Sequence, residues 1–260
     1  MVCVVHSLLW GLDGKILTGP RPVTYDRCMP SQNTVKLYVA GGNYHAYNRG
    51  VEKRLIFLDD QDYRVFLSFL KAYLSPQLDP NKVLEHPLDK MTGSRPVRIR
   101  PLRSFAEEVS LLSYCLMPNH FHLLLYQKEL NGMARFLQAL CTSYSMYFNK
   151  RWKRIGTLFQ GPYKAAYIDR DSYLLHITRY IHLNPKEMTG SRPVTVREYP
   201  YSSYAYYLRL KQAAWLHPEY VLGYFRSAQR RNYRDFLSYD SFVEDYGEDS
   251  KFTIGKVAID

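Results

Sequence analysis

The spacing of apolar and polar residues predicts four strands and three helices between residues 36 and 185. Short runs of alternating polarity, rich in aromatic and β-branched residues, predict strands at residues 44–49, 108–117, 119–126 and within 156–168. Apolar residues three and four positions apart predict a helix capped by Asp59 or Asp60, another opened by Asn131, and a third capped by Asp169 or Asp171 that ends at Asn184. This order is that of a ferredoxin-like split βαβ unit with one added helix. The predicted fold class is therefore α+β, an antiparallel sheet with helices on its faces.

Segments without this periodicity divide the rest of the chain. Residues 1–35 are expected to form a loose leader, and residues 75–104, with five prolines, a long loop inside the 36–185 domain. Residues 186–240 are expected to form a C-terminal helical extension and residues 241–260 a flexible acidic tail. Near-copies of one motif, Thr-Gly-Ser-Arg-Pro-Val, begin at residues 18, 92 and 189. Because their spacing is irregular, we interpret them as loop insertions and not as a structural repeat.

A histidine pair lies in the third predicted strand. His120 and His122 bracket Phe121 in the segment Met-Pro-Asn-His-Phe-His. Consecutive strand side chains point to opposite faces, so the two histidines share one face and Phe121 points to the other. Ordinary core or surface histidines would give the same pattern, and a metal site requires a third ligand as well.

The last predicted helix offers such a ligand together with a nucleophile. Tyr180 and Asn184 are four residues apart and therefore face the same way. A phenol has a pKa near 10, so its attack on a phosphodiester needs a cation that polarises the phosphate. Two imidazoles and one amide oxygen leave coordination positions open, which favours Mg²⁺ or Mn²⁺ over a closed zinc site.

Other interpretations of these residues remain open from the sequence. Tyr180 could instead be a core tyrosine, and Tyr173 and Tyr167 are rival nucleophiles without a comparable polar partner. His176 and His182 fall off the Tyr180 face of the helix, and we expect them to make local hydrogen bonds.

Composition points to a polyanionic partner. The chain of 260 residues carries a net charge of +11, which makes nucleic acid the first candidate. Its 24 tyrosines include rings that can stack on unpaired bases, although most should fill the core. The four cysteines show no CxxC spacing, which indicates a reduced cytosolic compartment. Neither a signal peptide nor a membrane anchor is expected.

Four segments resemble one family of DNA-processing enzymes. Residues 44–50, 117–122, 156–164 and 179–185 are similar to the REP-associated tyrosine transposases, single-tyrosine members of the HUH group, and the resemblance covers roughly residues 36–240. It implies an HUH endonuclease type of fold in which His120, His122 and Asn184 bind the divalent metal and Tyr180 is the nucleophile. It also implies cleavage and rejoining of single-stranded DNA at palindromic hairpins through a 5′-phosphotyrosine, by a monomer or homodimer in the bacterial cytoplasm at the nucleoid.

Several basic and polar residues are candidate DNA contacts. Asn48 and Arg49 end the first predicted strand, and Lys164 lies on the fourth, so each is expected to border the groove beside the metal. A basic cluster follows the second helix and is expected to follow the hairpin backbone; it includes Arg151, Lys153 and Arg154. The alternative for Arg49 is an internal ion pair with Asp59 or Asp60.

Two other function classes fit parts of this pattern. A domesticated, non-catalytic nucleic-acid-binding protein would keep the basic surface and aromatic rings, much as RNA-binding sheets do. A metal-dependent hydrolase of small phosphoesters would use the histidines but would not need the basic surface.

Overall fold

The computed structural model describes residues 38–76, 103–187, 195–226 and 238–244. These residues belong to the larger of two compact units, Val35–Asp260. The predicted leader and most of the predicted 75–104 loop lie outside the described residues. So do the acidic tail beyond residue 244 and nearly all of the three motif copies. No helix in the described ranges is long and apolar enough to cross a membrane.

The sheet has four strands, β1 (Gly42–Arg49), β2 (Val109–Met117), β3 (His120–Gln127) and β4 (Lys164–Ile168). Their spatial order is β2-β3-β1-β4, and each neighbouring pair is antiparallel. Since this is the order of a ferredoxin-like split βαβ sheet, the predicted fold class is confirmed. Pro118 and Asn119 connect β2 to β3, with Met117 paired to His120.

Two helices cover one face of the sheet, α1 (Asp60–Leu74) and α2 (Gly132–Arg151). The Asp59 carboxylate accepts a hydrogen bond from the Asp62 backbone N–H and caps α1. The buried faces of both helices pack against the same face of β3. The helices contribute Phe66, Phe69, Phe136 and Leu140, and β3 contributes Phe121, Leu123 and Leu125. Burial of these aromatic and aliphatic side chains is the main source of stability for this half of the domain.

The opposite face of the sheet carries α3 (Asp171–Leu183), which continues into a 3-10 turn at Asn184–Glu187. Its N-cap is Arg170, and neither Asp169 nor Asp171 caps it as predicted. Leu174, Ile177 and Ile181 pack toward Leu112 and Leu124 of the sheet. Strand β3 thus contributes side chains to the hydrophobic clusters on both faces of the sheet. Helix α3 lies over the face that bears the histidine pair.

Residues beyond Glu187 form short helices α4 (Tyr204–Tyr207), α5 (Glu219–Arg226) and α6 (Tyr239–Glu244). The flexible tail predicted from residue 241 is wrong for residues 241–244, because Phe242 and Val243 are buried and pack on α3. Glu244, one of the acidic residues that suggested a loose tail, forms an ion pair with Arg197.

Arg151 joins the ends of α1 and α2. Its guanidinium donates to the fully buried Asp62 carboxylate at 2.6 Å and to Asp59 at 2.6 Å. Tyr147 and Trp152 also donate to Asp62, at 3.0 and 3.2 Å. With its donors committed to two carboxylates, Arg151 is not available as the DNA contact predicted from the sequence. The chain position alone did not reveal the carboxylates, which lie about 90 residues earlier.

The Arg151→Ala variant should lose about 3–5 kcal/mol of unfolding free energy, because a buried carboxylate loses its charged partner. Lys150→Ala, at the exposed neighbouring position, is the matched control and should unfold at the wild-type urea concentration. Urea titrations of the three proteins provide the comparison. An Arg151→Ala protein that has wild-type stability but binds DNA weakly would show that Arg151 contacts DNA.

Candidate active site

The structure brings the predicted nucleophile and histidines together on one face of the sheet. The Tyr180 ring centroid lies 5.5 Å from that of His122, with the rings nearly perpendicular at 86°. His120 and His122 project from β3 with ring centroids 4.9 Å apart. Helix α3 supplies Tyr180 from above this face, so the strand and the helix meet as the sequence pattern predicts.

Asn184 occupies the end of α3 next to both imidazoles. Its Nδ2 donates to the Tyr180 backbone oxygen at 2.9 Å, which fixes the amide in place. The same side chain lies near His120 and His122, where it raises their pKa values against larger opposing effects. Pro185 follows and ends the regular helix. The four predicted residues therefore form one cluster.

Burial keeps both histidines neutral. Burial and, as a smaller effect, the nearby Arg49 charge lower the pKa of His120 to about 4. Burial also lowers the pKa of His122 well below 6.5, followed by the effects of His45 and His120. A neutral imidazole keeps a lone pair that can bind a cation, so both rings are in the state that a ligand requires near neutral pH.

Hydrogen bonds at the other ring nitrogen orient each imidazole. Nδ1 of His120 lies 2.6 Å from Oδ1 of Asn119, and an amide oxygen can only accept, so Nδ1 carries the proton. The lone pair of His120 is therefore on Nε2. Asn119 itself is held by a bond from its Nδ2 to the Lys53 backbone oxygen. Asn119 was not among the predicted site residues, although it directly precedes His120 in the sequence.

The cluster fits a hard divalent cation. Nε2 of His122 is buried and has no hydrogen-bond partner among the described residues, which is an open position for a cation. No group of three His, Cys, Asp or Glu side chains suited to a metal occurs in the described parts of the chain. The donor set is thus two imidazoles and one amide, without a carboxylate. Such a set leaves positions for phosphate oxygens and water, as Mg²⁺ or Mn²⁺ prefers.

His45 is a site residue that the sequence analysis did not identify. It lies on β1 and is fully buried, and its Nε2 is 2.8 Å from Nδ1 of His122. Burial lowers the pKa of His45 to about 3, so this ring is neutral as well. Strand alternation places His45 on the same face as Tyr47, but the pairing of β1 with β3 was needed to place it beside His122.

Two of the predicted DNA contacts lie at this face. Lys164 is exposed and is paired with Tyr47 across β1 and β4, with its Nζ 5.9 Å from the Tyr47 ring centroid. Arg49 is paired with His120 across β1 and β3. Its Nε is buried and lacks a hydrogen-bond partner within the described ranges. The ion pair considered for Arg49 is not formed, because Asp59 binds Arg151 and Asp60 binds Arg64.

Asn48 faces the other side of β1. It is 6% exposed, its Nδ2 donates to the Gly161 backbone oxygen at 3.0 Å, and its Oδ1 accepts from the Arg49 N–H at 2.9 Å. The DNA contact predicted for Asn48 has no support in this placement, since neighbouring strand residues cannot border the same groove. Asn48 instead anchors the loop that precedes β4.

The remaining basic candidates follow α2. Lys153 is exposed, with a left-handed backbone φ of 49°. Arg154 is partly buried, and its guanidinium lies 5.7 Å from the Phe148 ring centroid. Burial and the nearby Arg54 charge lower the Arg154 pKa. These contacts leave Lys153 fully accessible and Arg154 partly so, and both remain predicted contacts.

His176 makes a local hydrogen bond, as predicted, whereas the partners of His182 come from distant parts of the chain. His182 is fully buried between the Tyr239 and Ser203 hydroxyls, each at 2.7 Å, and Nδ1 of His176 accepts from Arg179 at 2.7 Å. Neither ring takes part in the cluster.

Comparison with known proteins finds a family match over the residues that form this site. Residues 103–184 match the family described as Transposase IS200 like. No curated protein matches the chain. A solved structure described as a REP-associated tyrosine transposase bound to a REP hairpin has 13% sequence identity and a TM-score of 0.43, and the match covers 67% of this chain and 84% of that one. The matched segment contains the histidine pair, Tyr180 and Asn184. Over residues 103–184 the chain is thus similar to the IS200-like transposases.

Proposed function

We propose that this protein cuts and rejoins single-stranded DNA at palindromic, REP-like hairpins, with Tyr180 as the nucleophile. The observation that carries the proposal is the meeting of Tyr180 with His120, His122 and Asn184 on one face of the sheet. A non-catalytic binding protein would have no need for an oriented phenol beside two neutral imidazoles.

In the proposed reaction the Tyr180 oxygen attacks the phosphorus of one DNA linkage. The phenol loses its proton, a tyrosyl oxygen–phosphorus bond forms, the bond to the 3′ oxygen breaks, and that oxygen takes up a proton. The products are a 5′-phosphotyrosyl DNA end and a free 3′ hydroxyl. Bound Mg²⁺ or Mn²⁺ would polarise the phosphate and offset the charge that develops on its oxygens.

The side chains around Tyr180 would hold the cation beside the phenol before the DNA is attacked. His120, His122 and Asn184 would hold the cation, and the hydrogen bond from the Asn184 side chain to the Tyr180 carbonyl oxygen holds that side chain in place at the end of α3. Rejoining reverses the step: a 3′ hydroxyl attacks the phosphotyrosine and releases the phenol. No nucleotide cofactor is needed, because the covalent bond conserves the energy of the phosphodiester.

The charge distribution supports a DNA substrate. The chain has a net charge of +11, and both Arg49 and Lys164 lie at the face that carries the cluster. Unpaired bases beside a hairpin present ring faces and edges to such side chains, whereas the stem offers mainly phosphates. We infer that Arg49 and Lys164 contact DNA near the cut, and that Lys153 and Arg154 contact the stem backbone.

The Tyr180→Phe variant should form no covalent DNA adduct while its fold and hairpin affinity persist, because only one hydroxyl is removed. The assay incubates protein, labelled single-stranded hairpin and Mn²⁺, then separates boiled samples in detergent. Tyr173→Phe is the matched control on the same helix and should form the adduct at the wild-type level. A normal adduct in Tyr180→Phe, with loss in Tyr173→Phe, would move the nucleophile to Tyr173.

The His122→Ala variant should lose cleavage and bind Mn²⁺ more weakly, since one of the three proposed ligands is absent. Its hairpin affinity at a fixed salt concentration should stay close to wild type, because DNA binding depends on phosphate contacts by Lys and Arg. Chelation of the metal from wild-type protein should reproduce the cleavage defect. Cleavage that continues unchanged in His122→Ala, with the same metal dependence, contradicts the ligand assignment.

The Arg49→Ala variant should lose selectivity for the bases flanking the hairpin, at about 1–3 kcal/mol for one bidentate base contact. Lys153→Ala is the control and should weaken all DNA about equally, with a shallower salt dependence. Competition with flank-scrambled hairpins measures both effects. If Arg49→Ala keeps the wild-type preference and loses thermal stability instead, Arg49 supports the fold and does not contact bases.

A further inference from the structure

His45 is a buried polar residue without a role in the proposed chemistry so far. It lies on β1, on the sheet face that carries the histidine pair. Its Nε2 is 2.8 Å from Nδ1 of His122, and the two rings are 15° from parallel with centroids 5.0 Å apart. Both side chains are fully buried. The hydrogen bond therefore connects His45 directly to a proposed metal ligand.

This hydrogen bond can be made in two ways, since a neutral imidazole carries one proton. In the first, His45 donates from Nε2, and His122 must then carry its own proton on Nε2. In the second, His122 donates from Nδ1 and keeps a lone pair on Nε2, while His45 carries its proton on Nδ1. Only the second arrangement allows His122 to bind a cation.

A cation at His122 decides between the two arrangements. Nε2 of His122 and Nδ1 of His45 are both buried and have no hydrogen-bond partner in the described part of the chain. Without a cation, each arrangement therefore leaves one buried N–H and one buried lone pair without a partner. A cation bound at Nε2 of His122 would occupy the lone pair of the second arrangement, so metal binding favours that arrangement alone.

His120, the other histidine of β3, also has a hydrogen-bond partner at Nδ1. Asn119 accepts the Nδ1 proton of His120 and leaves its Nε2 lone pair free. Each histidine of β3 thus has one partner at Nδ1, an amide oxygen for His120 and an imidazole nitrogen for His122. If both partners accept the Nδ1 proton, both histidines keep a lone pair on Nε2 that can bind a cation.

We propose that His45 is a positioning residue that accepts the Nδ1 proton of His122 and so fixes its Nε2 lone pair for the cation. The inference rests on the proposed function and extends it by one residue. Partners that fix the tautomer and the ring orientation of a metal-binding histidine change metal affinity by about 10- to 100-fold. An imidazole in this place adds no charge, so the site stays neutral and leaves the substrate phosphate to supply the negative charge.

Mn²⁺ affinity of the full chain, measured by the electron paramagnetic resonance signal of free Mn²⁺, tests the proposal without reference to activity. His45→Phe removes the acceptor and should weaken binding about 10- to 100-fold. His45→Gln can place an amide oxygen near the position of Nε2 and should retain most of the affinity. His217→Gln alters a histidine that pairs with Glu219 outside the cluster, and this variant should bind Mn²⁺ as the wild type does. Equal affinity in His45→Phe and wild type would overturn the proposal.

A second measurement needs no variant. In wild-type protein labelled with ¹⁵N-histidine and saturated with Mg²⁺, long-range ¹H–¹⁵N spectra should show His122 protonated at Nδ1 and His45 also protonated at Nδ1. Protonation of His122 at Nε2 would show that His45 donates, which contradicts the inference. Wild-type protein that binds no Mn²⁺ and forms no DNA adduct would instead contradict the proposed function, so the two failures are distinguishable.

Discussion

Strand β3 contributes to both layers of the structure because its side chains alternate between two faces. Phe121 and Leu123 pack under α1 and α2, and His120 and His122 project to the face covered by α3. Both edges of β3 are hydrogen-bonded, to β2 and to β1, which fixes its register. A shift of one residue would turn the imidazoles into the apolar core and Phe121 onto the face covered by α3. Burial of the apolar side chains of β3 therefore also fixes the position of the histidine pair.

The position of Tyr180 depends on how α3 is held over that face. His182, two residues on, bonds Ser203 and Tyr239, which come from the segments that form α4 and α6. Arg179 stacks on Phe242 of α6, with its guanidinium 4.3 Å from the ring centroid. The C-terminal residues are thus part of the support for the nucleophile. Within the helix end itself, the Asn184 side chain donates to the Tyr180 carbonyl oxygen, which keeps the proposed ligand next to the proposed nucleophile.

Local sequence patterns were sufficient for the order of strands and helices along the chain and for the faces of β3 and α3, because each depends on periodicity within one element. Contacts between distant elements were not accessible in this way. His45 required the pairing of β1 with β3, and Arg151 required knowledge of the carboxylates at the start of α1. The assignment of Asn48 to the groove ignored strand alternation, which the sequence did contain. Residues 241–244 were misjudged because their acidic residues outweighed Phe242 and Val243.

The central claim is that α3 delivers one particular phenol to the imidazole face of the sheet. The most direct test is to trap the adduct with a hairpin and Mn²⁺, digest the DNA to a short remnant, and map the modified tryptic peptide by mass spectrometry. Tyr180 lies in the peptide of residues 180–186, Tyr173 in 171–179 and Tyr167 in 165–170. We predict that the remnant is found on residues 180–186. A remnant on either of the other two peptides would contradict the account.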